Sequence, residues 1–381
     1  MMEKEKIDWL KDILKIDSTL DNEKEVADYI EKLFKEEGIE TEQIEYSEGR
    51  NQLIATLKGK KSDKILGFTG HMDVVPVGEQ EWEHKPFDAD EKDGKIYARG
   101  ASDMKGGLMA AVAAMIELKR NNVELNGDIQ LLATVGEETS AIGAGQLVEK
   151  GYAKDLDALI IGEPTRNYVV IAHKGAIWLR LKTKGKTAHG SAPSEGINAV
   201  EHMLNFIEAF NKKFNFSQYK DDMVGPSTST INVFKGGNAT NVIPDQCIVE
   251  IDIRTIESQD HQEFLNELEQ LNKEMSEKIK DFSLEIEVIN DLDPVKTDEN
   301  TEIVKLITSI VSKKKGEEVK PLGVSGYTDG SQFVKAQKNL PIIVLGPGEP
   351  IMAHQPDEYI EIENYLEGIE IYKEIAKEFL K

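Results

Sequence analysis

Histidines and acidic residues follow short apolar segments at several points along the chain. They lie in the segments GHMDVVP, TVGEETS, IIGEPT and GPGEPIMAHQPDEY, and a further aspartate lies in ARGASDMKGGL, just before an apolar segment with helical spacing. Imidazole nitrogens and carboxylate oxygens together form a ligand set that suits zinc, with cobalt or manganese as substitutes. The candidate ligands are His71, Asp103, Glu138, Glu163 and His354.

These side chains are more than one zinc ion needs, because three protein ligands and a water molecule fill a catalytic zinc site. They can serve two ions if Asp103 bridges them, since paired ions lie roughly 3.5–4 Å apart and together activate water and polarise a carbonyl group. Each residue also has a simpler interpretation. His71 could be an ordinary histidine at a strand end, and Asp103 could be a helix N-cap. Glu138 could be a solvated loop acid, and Glu163 a turn residue before Pro164.

The elements that must position these side chains are short buried strands. Apolar segments typical of such strands precede His71, Glu138 and Glu163 and the loop that carries His354. Helical spacing of apolar residues occurs between them, for example over Leu108–Leu118. This alternation predicts an α/β fold with a mostly parallel sheet flanked by helices. The carboxyl ends of the strands line the ligand crevice of such a sheet, so we expect the candidate ligands to converge there.

The pattern changes in the middle of the chain. Strand and helix signals over residues 175–289 run in the order β-α-β-β-α-β, which is the split βαβ pattern of ferredoxin-like α+β domains. The α/β alternation then resumes, and 381 residues exceed one comfortable hydrophobic core. We therefore predict one domain made of residues 1–174 and 290–381, with a second domain of residues 175–289 inserted into it.

The composition disfavours several classes of partner. With 46 Lys and Arg against 70 Asp and Glu, the net charge is −24, which argues against binding to nucleic acid or to an anionic membrane surface. No segment approaches the roughly 20 apolar residues of a membrane span, and the N-terminus lacks the apolar core of a signal peptide. Cys247 is the single cysteine, so no intramolecular disulfide can form, and its alternating segment predicts a packed thiol. We expect a cytoplasmic protein.

Seven segments, taken in order, resemble the motif series of one enzyme family. They are GHMDVVP, ARGASDMKGGLMA, TVGEETSAIGA, IIGEPT, GKTAHGSAP, NVIPDQCIVEIDIR and GPGEPIMAHQPDEYI. The series spans nearly the whole chain and resembles the dinuclear zinc aminoacylase, deacetylase and carboxypeptidase family. It is most similar to the branch of succinyl-diaminopimelate desuccinylase and acetylornithine deacetylase. The resemblance implies a zinc-exopeptidase-like catalytic domain and an inserted dimerisation domain.

The resemblance also implies roles for individual residues at a centre holding two Zn²⁺ ions per subunit, for which Co²⁺ or Mn²⁺ could substitute. The candidate ligands keep that role, and Asp103 is the expected bridge. Asp73 is expected to orient the His71 ring, since a ligating histidine usually donates its second N–H to a carboxylate. Glu137 corresponds to the general base, which takes a proton from the attacking water and passes it to the leaving amine. His189 is expected to reach across a homodimer interface and stabilise the oxyanion, although a surface-loop histidine is the simpler interpretation.

Further residues are candidates for binding the substrate. The segment GGNATNVIPD resembles a substrate-binding stretch, so Asn238 or Asn241 is expected near the substrate. Arg254 could pair with a substrate carboxylate in a bidentate manner, and Thr328 lies in SGYTDGSQF, which matches a loop that contacts substrate. The chain has HKGA where desuccinylases resemble RRGS, so Lys174 keeps only one of the expected positive charges. This departure counts against a succinyl group and leaves acetyl donors open.

The resemblance implies a homodimeric amidohydrolase that acts on a small N-acyl amino acid. The favoured reaction converts N-succinyl-LL-diaminopimelate to succinate and LL-diaminopimelate, a step of lysine biosynthesis. Deacylation of N-acetylornithine or another N-acyl amino acid is the first alternative, followed by dipeptidase or carboxypeptidase activity. A non-catalytic binding homologue is least favoured, because every candidate ligand and Glu137 are present. His84, His202 and His261 match no motif and are predicted to lie on the surface.

Overall fold

The computed structural model describes residues 2–19, 21–61, 63–337 and 339–381, which form two compact units. The first unit runs to Ala172 and resumes with Lys296–Gly323 and Thr328–Lys381. The second comprises His173–Val295 and Val324–Tyr327. The second unit extends past the expected residue 289 because its last long strand continues to Leu292, which pairs with Ala176.

The described residues contain helices along most of the chain. The helices are α1 (Glu3–Leu14), α2 (Glu23–Glu36), α3 (Lys105–Arg120), α4 (Ile142–Glu149), α5 (Ala199–Lys213), α6 (His261–Lys278), α7 (Glu302–Lys315), α8 (Gly330–Phe333) and α9 (Ile362–Phe379). Within the described ranges, none of them combines the length and apolar character that crossing a membrane requires.

Strands alternate with these helices. The strands are β1 (Glu40–Ser47), β2 (Arg50–Leu57), β3 (Ile65–His71), β4 (Asp90–Lys92), β5 (Lys95–Tyr97), β6 (Asp128–Thr134), β7 (Ala158–Ile161), β8 (Val170–His173), β9 (Gly175–Lys184), β10 (Lys220–Asp221), β11 (Gly225–Pro226), β12 (Thr228–Gly236), β13 (Gln246–Thr255), β14 (Leu284–Leu292), β15 (Val295–Lys296), β16 (Leu322–Val324), β17 (Ile342–Val344) and β18 (Tyr359–Glu361).

The main sheet has the order β1-β2-β6-β3-β7-β17-β8-β15, with β16 pairing to β8. Its centre is parallel, since β3 runs parallel to β6 and β7, and β17 runs parallel to β7. Antiparallel pairs flank this centre, between β1 and β2, β2 and β6, and β17 and β8. Strands β18, β5 and β4 form a separate small antiparallel sheet in that order. The predicted α/β fold class is confirmed, with a mixed sheet whose parallel strands occupy the centre.

Helix α3 follows Asp103 and is buried along nearly its whole length, because its residues are mostly alanine, glycine and large apolar types. Gly107 permits an especially close approach. A Cβ atom at this position would collide with the backbone carbonyl of Gly162 at the end of β7. The contact brings the start of α3 against the strand that leads to Glu163, so two candidate ligands approach each other.

The second unit has an antiparallel sheet in the order β12-β13-β9-β14, with α5 and α6 in the connections. This order and connectivity confirm the predicted ferredoxin-like arrangement. Alternate residues of β9 and β13, such as Leu179 and Val249, pack with Phe206 of α5 and Leu268 of α6. Cys247 is buried in the same core, as predicted for a packed thiol.

Candidate metal centre

The register of the parallel strands brings several candidate residues to one edge of the main sheet. His71 is the last residue of β3, and its register partner Thr134 is the last residue of β6. The chain after β6 leads to Glu137 and Glu138. The chain after β7 leads to Glu163, and β7 is the other parallel neighbour of β3. Because these strands end at the same edge, the residues that follow them are neighbours in space.

The first group of candidate ligands surrounds the buried ring of His71. Its Nε2 atom lies 3.1 Å from Oδ1 of Asp103 and 3.6 Å from Oε1 of Glu163. The Nδ1 atom of His71 donates to the backbone carbonyl of Asp73 at 2.9 Å. That bond fixes the tautomer and leaves Nε2 facing the carboxylates, as a metal ligand requires.

The second group surrounds His354, in the loop after β17. Its Nε2 atom lies 3.0 Å from Oε2 and 3.1 Å from Oε1 of Glu138, and 3.4 Å from Oδ2 of Asp103. The two oxygens of Asp103 therefore face different histidines. This is the arrangement expected of a carboxylate that bridges two cations.

The acids at this centre are buried close to one another. Burial and the charge of Glu163 raise the pKa of Glu137 well above its usual range. Burial and the charge of Asp103 do the same for Glu163. Burial would also raise the pKa of Asp103, but hydrogen bonds to His354 and His71 outweigh it and lower that pKa. The neighbouring carboxylates thus oppose each other's ionisation.

The histidines compensate only part of this negative charge. Burial would lower the pKa of His71, but its hydrogen bond to Asp103 and the nearby carboxylates outweigh that effect and raise it. Hydrogen bonds to Asp103 and Glu138 raise the pKa of His354 to about 10. Each imidazole is thus placed where carboxylates attract a positive charge.

The donor set fits divalent cations by its chemistry and spacing. Ligand atoms of His71, Asp103 and Glu138 lie within 4.8 Å of one another, and so do those of His71, Glu137 and Glu163. Nitrogen and carboxylate donors at such spacing suit zinc and its borderline neighbours. The residues present therefore fit divalent cations.

Asp73 makes contacts that differ from the expected one. Its carboxylate Oδ1 lies 3.6 Å from Nδ1 of His71, beyond hydrogen-bond distance. The same buried carboxylate accepts the backbone N–H groups of Glu137 and Glu138, each at 3.2 Å. The backbone carbonyl of Asp73 orients the His71 ring, while its side chain holds the loop that carries both glutamates.

The candidate residues from TAHGS and GGNATNVIPD lie on one exposed surface of the second unit. His189 forms an antiparallel bridge with Val242, and the N–H of Gly190 donates to the carbonyl of Asn241 at 2.7 Å. The side chains of His189, Asn238 and Asn241 are all exposed. Two segments far apart in sequence thus form a single polar surface.

The remaining substrate candidates already have partners within the protein. Arg254 donates from Nε and Nη2 to the two carboxylate oxygens of Asp252 at 2.8 and 3.0 Å, and its guanidinium lies over the ring of Tyr327. The ammonium group of Lys174 donates to the Pro226 carbonyl at 2.5 Å, and the residue is largely buried. Burial and the nearby positive charge of Arg254 lower the pKa of Lys174. The hydroxyl of Thr328 accepts the Gly330 N–H at 3.0 Å.

Sequence reasoning missed charged residues that support this centre. Arg99 and Glu358 form a fully buried ion pair beside the Asp103 loop. Asp329, also buried, accepts a hydrogen bond from Thr134 at the end of β6. Their positions inside ARGASD, SGYTDG and HQPDEY were a usable signal, because charged residues within ligand-bearing segments often support the ligands.

A family model described as peptidase family M20/M25/M40 matches residues 67–378. The chain belongs to peptidase family M20/M25/M40. It is therefore an enzyme, a metal-dependent hydrolase, and the predicted family is confirmed. A probable succinyl-diaminopimelate desuccinylase of Staphylococcus epidermidis is 35% identical, covering 100% of this chain and 99% of its own. The acetylornithine deacetylase of Pasteurella multocida is 31% identical, covering 86% of this chain and 83% of its own.

Solved structures share the fold of this M20 chain. A metallo-carboxypeptidase of family M20 from Sulfolobus solfataricus superposes with a TM-score of 0.80 at 22% identity, covering 98% of each chain. A dinuclear metal-binding peptidase of the family from Bacillus subtilis gives a TM-score of 0.73 at 17% identity, covering 99% of this chain and 98% of that one. At these identities the likeness concerns the fold.

Proposed function

We propose that this M20 hydrolase removes the N-acyl group from a small N-acyl amino acid, with N-succinyl-LL-diaminopimelate as the favoured substrate. The observation that carries the proposal is the position of Asp103, whose two oxygens face His71 and His354 separately. Glu137 lies beside this pair, buried and unused as a ligand in either group built on Asp103. A dinuclear centre with an adjacent free carboxylate is suited to amide hydrolysis.

The proposed ligand sets are His71, Glu163 and Asp103 for one cation, and His354, Glu138 and Asp103 for the other. We favour two Zn²⁺ ions, with Co²⁺ or Mn²⁺ as substitutes, because the donors are nitrogen and carboxylate oxygen. Bound cations would polarise the amide carbonyl and make water easier to deprotonate.

Glu137 performs the proton transfers in this proposal. Its raised pKa in the metal-free protein comes from burial and from Glu163, so bound cations would bring it back toward ionisation at neutral pH. The ionised carboxylate takes a proton from the attacking water. It then donates that proton to the departing amine nitrogen as the amide C–N bond breaks. Asp73, by holding the backbone of Glu137, fixes the position from which both transfers occur.

Lys174 and Arg254 are the proposed partners of a substrate carboxylate. Arg254 presents a bidentate fork that Asp252 occupies, so a substrate carboxylate would exchange with Asp252. One arginine and one lysine suit an acyl group or an amino acid with a single distal carboxylate. Asn238, Asn241 and Thr328 stay weaker candidates for polar contacts to the same substrate.

The substrate assignment is tested by comparing kcat/KM for N-succinyl-LL-diaminopimelate, N-acetylornithine and simple dipeptides on the zinc-loaded enzyme. We expect the succinyl substrate to be preferred, in keeping with the name of the 35% identical relative. Preference for N-acetylornithine would favour the second candidate, for which the 31% identical relative speaks. Hydrolysis of dipeptides alone would contradict both assignments.

A homodimer through the second unit is part of the proposal, and it would form in the cytoplasm. Strand β12 is an edge strand of the second unit's sheet, and its Ile231 and Phe234 are 42% and 46% exposed. Long exposed edges with apolar side chains tend to pair with another chain. Leu204 of α5 adds further exposed apolar surface. Replacing Ile231 and Phe234 with aspartate should give a monomer in analytical ultracentrifugation.

The role of His189 is tested by mixing two inactive variants. Glu137→Gln and His189→Ala should each lose activity. If His189 serves the partner subunit, a mixed dimer contains one site with an intact Glu137 and the partner subunit's His189, so mixing should restore part of the activity. If the dimers are shown to exchange subunits and the mixture is still as inactive as each variant alone, His189 is removed from the proposal.

A further inference from the structure

The carboxylate of Glu358 is buried and collects hydrogen bonds from the loop that carries Asp103. Its Oε1 atom accepts the backbone N–H groups of Ser102 at 2.8 Å and Asp103 at 2.9 Å. Its Oε2 atom accepts the N–H of Gly100 at 3.0 Å and a guanidinium N–H of Arg99 at 2.7 Å. Both carboxylate oxygens of Glu358 therefore accept two hydrogen bonds each. The backbone of the proposed bridging ligand is thus fixed by one side chain.

Arg99 extends the same unit to the loop that carries His354. Its Nη1 atom, besides pairing with Glu358, donates to the backbone carbonyl of Gln355 at 3.1 Å. Arg99 is buried, and its guanidinium lies 5.0 Å from the centre of the Trp82 ring. The ion pair therefore holds Asp103 on one side and the residue next to His354 on the other.

Ser102 adds a second link between these loops. Its hydroxyl donates to the carbonyl of Tyr359 at 2.6 Å and accepts the N–H of Glu349 at 2.8 Å. Glu349 begins the loop that reaches His354, and Tyr359 begins β18. Backbone contacts of Glu358 and its neighbours thus tie the Asp103 loop to the His354 loop at several points.

The two proposed metal sites depend unequally on this arrangement. His71 ends β3, and Glu163 lies two residues after β7, so the parallel ladder holds both. His354 lies in a loop, is 53% exposed in its side chain, and has a left-handed φ of 63°. No strand pairing fixes it among the described residues, so its position relies on the contacts of neighbouring loop residues.

We propose that Arg99 and Glu358 are positioning residues that set Asp103 and His354 relative to each other. In consequence, the cation site formed by His354, Glu138 and Asp103 depends on this ion pair more than the site formed by His71, Glu163 and Asp103. The inference rests on the proposed metal centre and deepens it. Outer partners of metal ligands typically change metal affinity by about 10–100-fold when they are removed.

The test is a titration of the metal-stripped protein with Zn²⁺, in which isothermal calorimetry measures the affinity and the number of bound ions. Glu358→Gln keeps the shape of the side chain but points an amide at N–H donors. We expect this variant to retain one tight equivalent of zinc and to bind the second about 10–100-fold more weakly. Activity should return as the zinc concentration is raised.

Glu117→Gln is the matched control. Glu117 is another buried, ion-paired glutamate of the first unit, contacting Lys6 and Lys373 near the far end of α3. We expect this variant to lose thermal stability while both zinc affinities stay at wild-type values. Equal weakening of the second zinc in Glu117→Gln and Glu358→Gln would overturn the proposal, since general destabilisation would then explain the effect.

Arg99→Lys provides a second variant should Glu358→Gln fail to fold. Lysine keeps the charge, but it replaces the rigid guanidinium, whose Nη1 atom bonds both Glu358 and Gln355, with a compact ammonium on a flexible stem. It should also weaken the second zinc selectively. Two equivalents bound with wild-type affinity in either folded variant would refute the inference. A wild-type enzyme that binds two zinc ions but cleaves none of the proposed substrates would instead refute the proposed function alone.

Discussion

The chain holds a histidine–carboxylate cluster in each of its two units, and by proximity alone both could bind a metal. In the first unit, His71 and His354 share Asp103 at the ends of the parallel strands. In the second unit, His261 groups with Asp291 and Asp293. The second cluster was absent from the sequence prediction, which placed His261 on the surface.

The two clusters differ in what their groups already bond to. Nδ1 of His261 lies 2.6 Å from Asp291, and its Nε2 lies 2.7 Å from the Thr255 hydroxyl, so both ring nitrogens are satisfied. Both aspartates are partly exposed, so water can solvate their charge. In the first unit the acids are buried together, and the pKa values of Glu137 and Glu163 are raised for that reason. The two clusters contain the same types of residue, so what distinguishes the proposed metal centre of the first unit is its excess of buried negative charge.

The largest expected effect comes from removing an aspartate from each cluster. Asp103→Ala should abolish tight zinc binding and reduce hydrolysis to background, because both proposed sites lose a ligand. Asp291→Ala should leave the zinc stoichiometry and kcat/KM unchanged. Elemental analysis of both variants after dialysis against zinc checks this. A loss of zinc in Asp291→Ala would contradict the claim that only the cluster of the first unit binds metal.

Next in size is the effect of Glu137→Gln. General acid–base catalysis contributes about 10²–10⁴-fold, so kcat should fall by that amount. The two zinc equivalents should remain, because Glu137 belongs to neither ligand set built on Asp103. Steady-state kinetics and zinc analysis on the same preparation separate the two properties. Substantial turnover by this variant would exclude Glu137 as the general base. Another residue would then have to accept the proton from the attacking water.

The positions of the proposed metal ligands follow from apolar patterns in the sequence, whereas the residues that support them were not predicted. Each ligand follows an apolar strand or precedes an apolar helix, so hydrophobic periodicity alone placed His71, Glu138 and Glu163 at one sheet edge. The Arg99–Glu358 pair shows no apolar periodicity, because charged residues are rarely fully buried and are expected at the surface. Its one sequence signal is its position inside the ligand-bearing segments ARGASD and HQPDEY. Whether Asp73 bonds through its side chain or its carbonyl depends on local backbone geometry that spacing does not specify.

The same limit explains the other errors of the sequence prediction. His202 and His261 are buried, against the expectation of surface positions, because their helices pack against the second sheet. Strand β1 went unpredicted because most of its side chains are exposed and polar, so the strand shows no apolar alternation. Its existence follows from antiparallel pairing with β2, a tertiary contact.

A smaller effect is expected in the pH dependence of stability. Glu163 has a raised pKa in the metal-free folded protein, so that state retains a proton that the unfolded chain releases above about pH 4.5. The stability contributed by Glu163 therefore falls as pH rises from that value toward the folded pKa. Thermal unfolding of metal-free protein between about pH 5 and 8 should show a steeper decline for wild type than for Glu163→Gln. Equal slopes would contradict a buried surplus of charge.

The smallest expected effect is that of His261→Gln. This change removes the bonds to Asp291 and Thr255, and a buried hydrogen-bond partner lost in this way costs about 1–3 kcal/mol in the free energy of unfolding. Zinc affinity and kcat/KM should stay at wild-type values. Denaturant unfolding and kinetics of the same variant check both statements, and a changed kcat/KM would link the second cluster to catalysis.

The most direct test of the central claim is a zinc titration of the metal-stripped wild-type chain. Two cations bridged by Asp103 predict saturation at two tight equivalents per chain, with neither Asp291 nor Asp293 contributing. Saturation at one equivalent would contradict the bridge. A third tight equivalent would contradict the distinction between the clusters, because it would show that the group around His261, whose ring nitrogens are already hydrogen-bonded, also holds a metal.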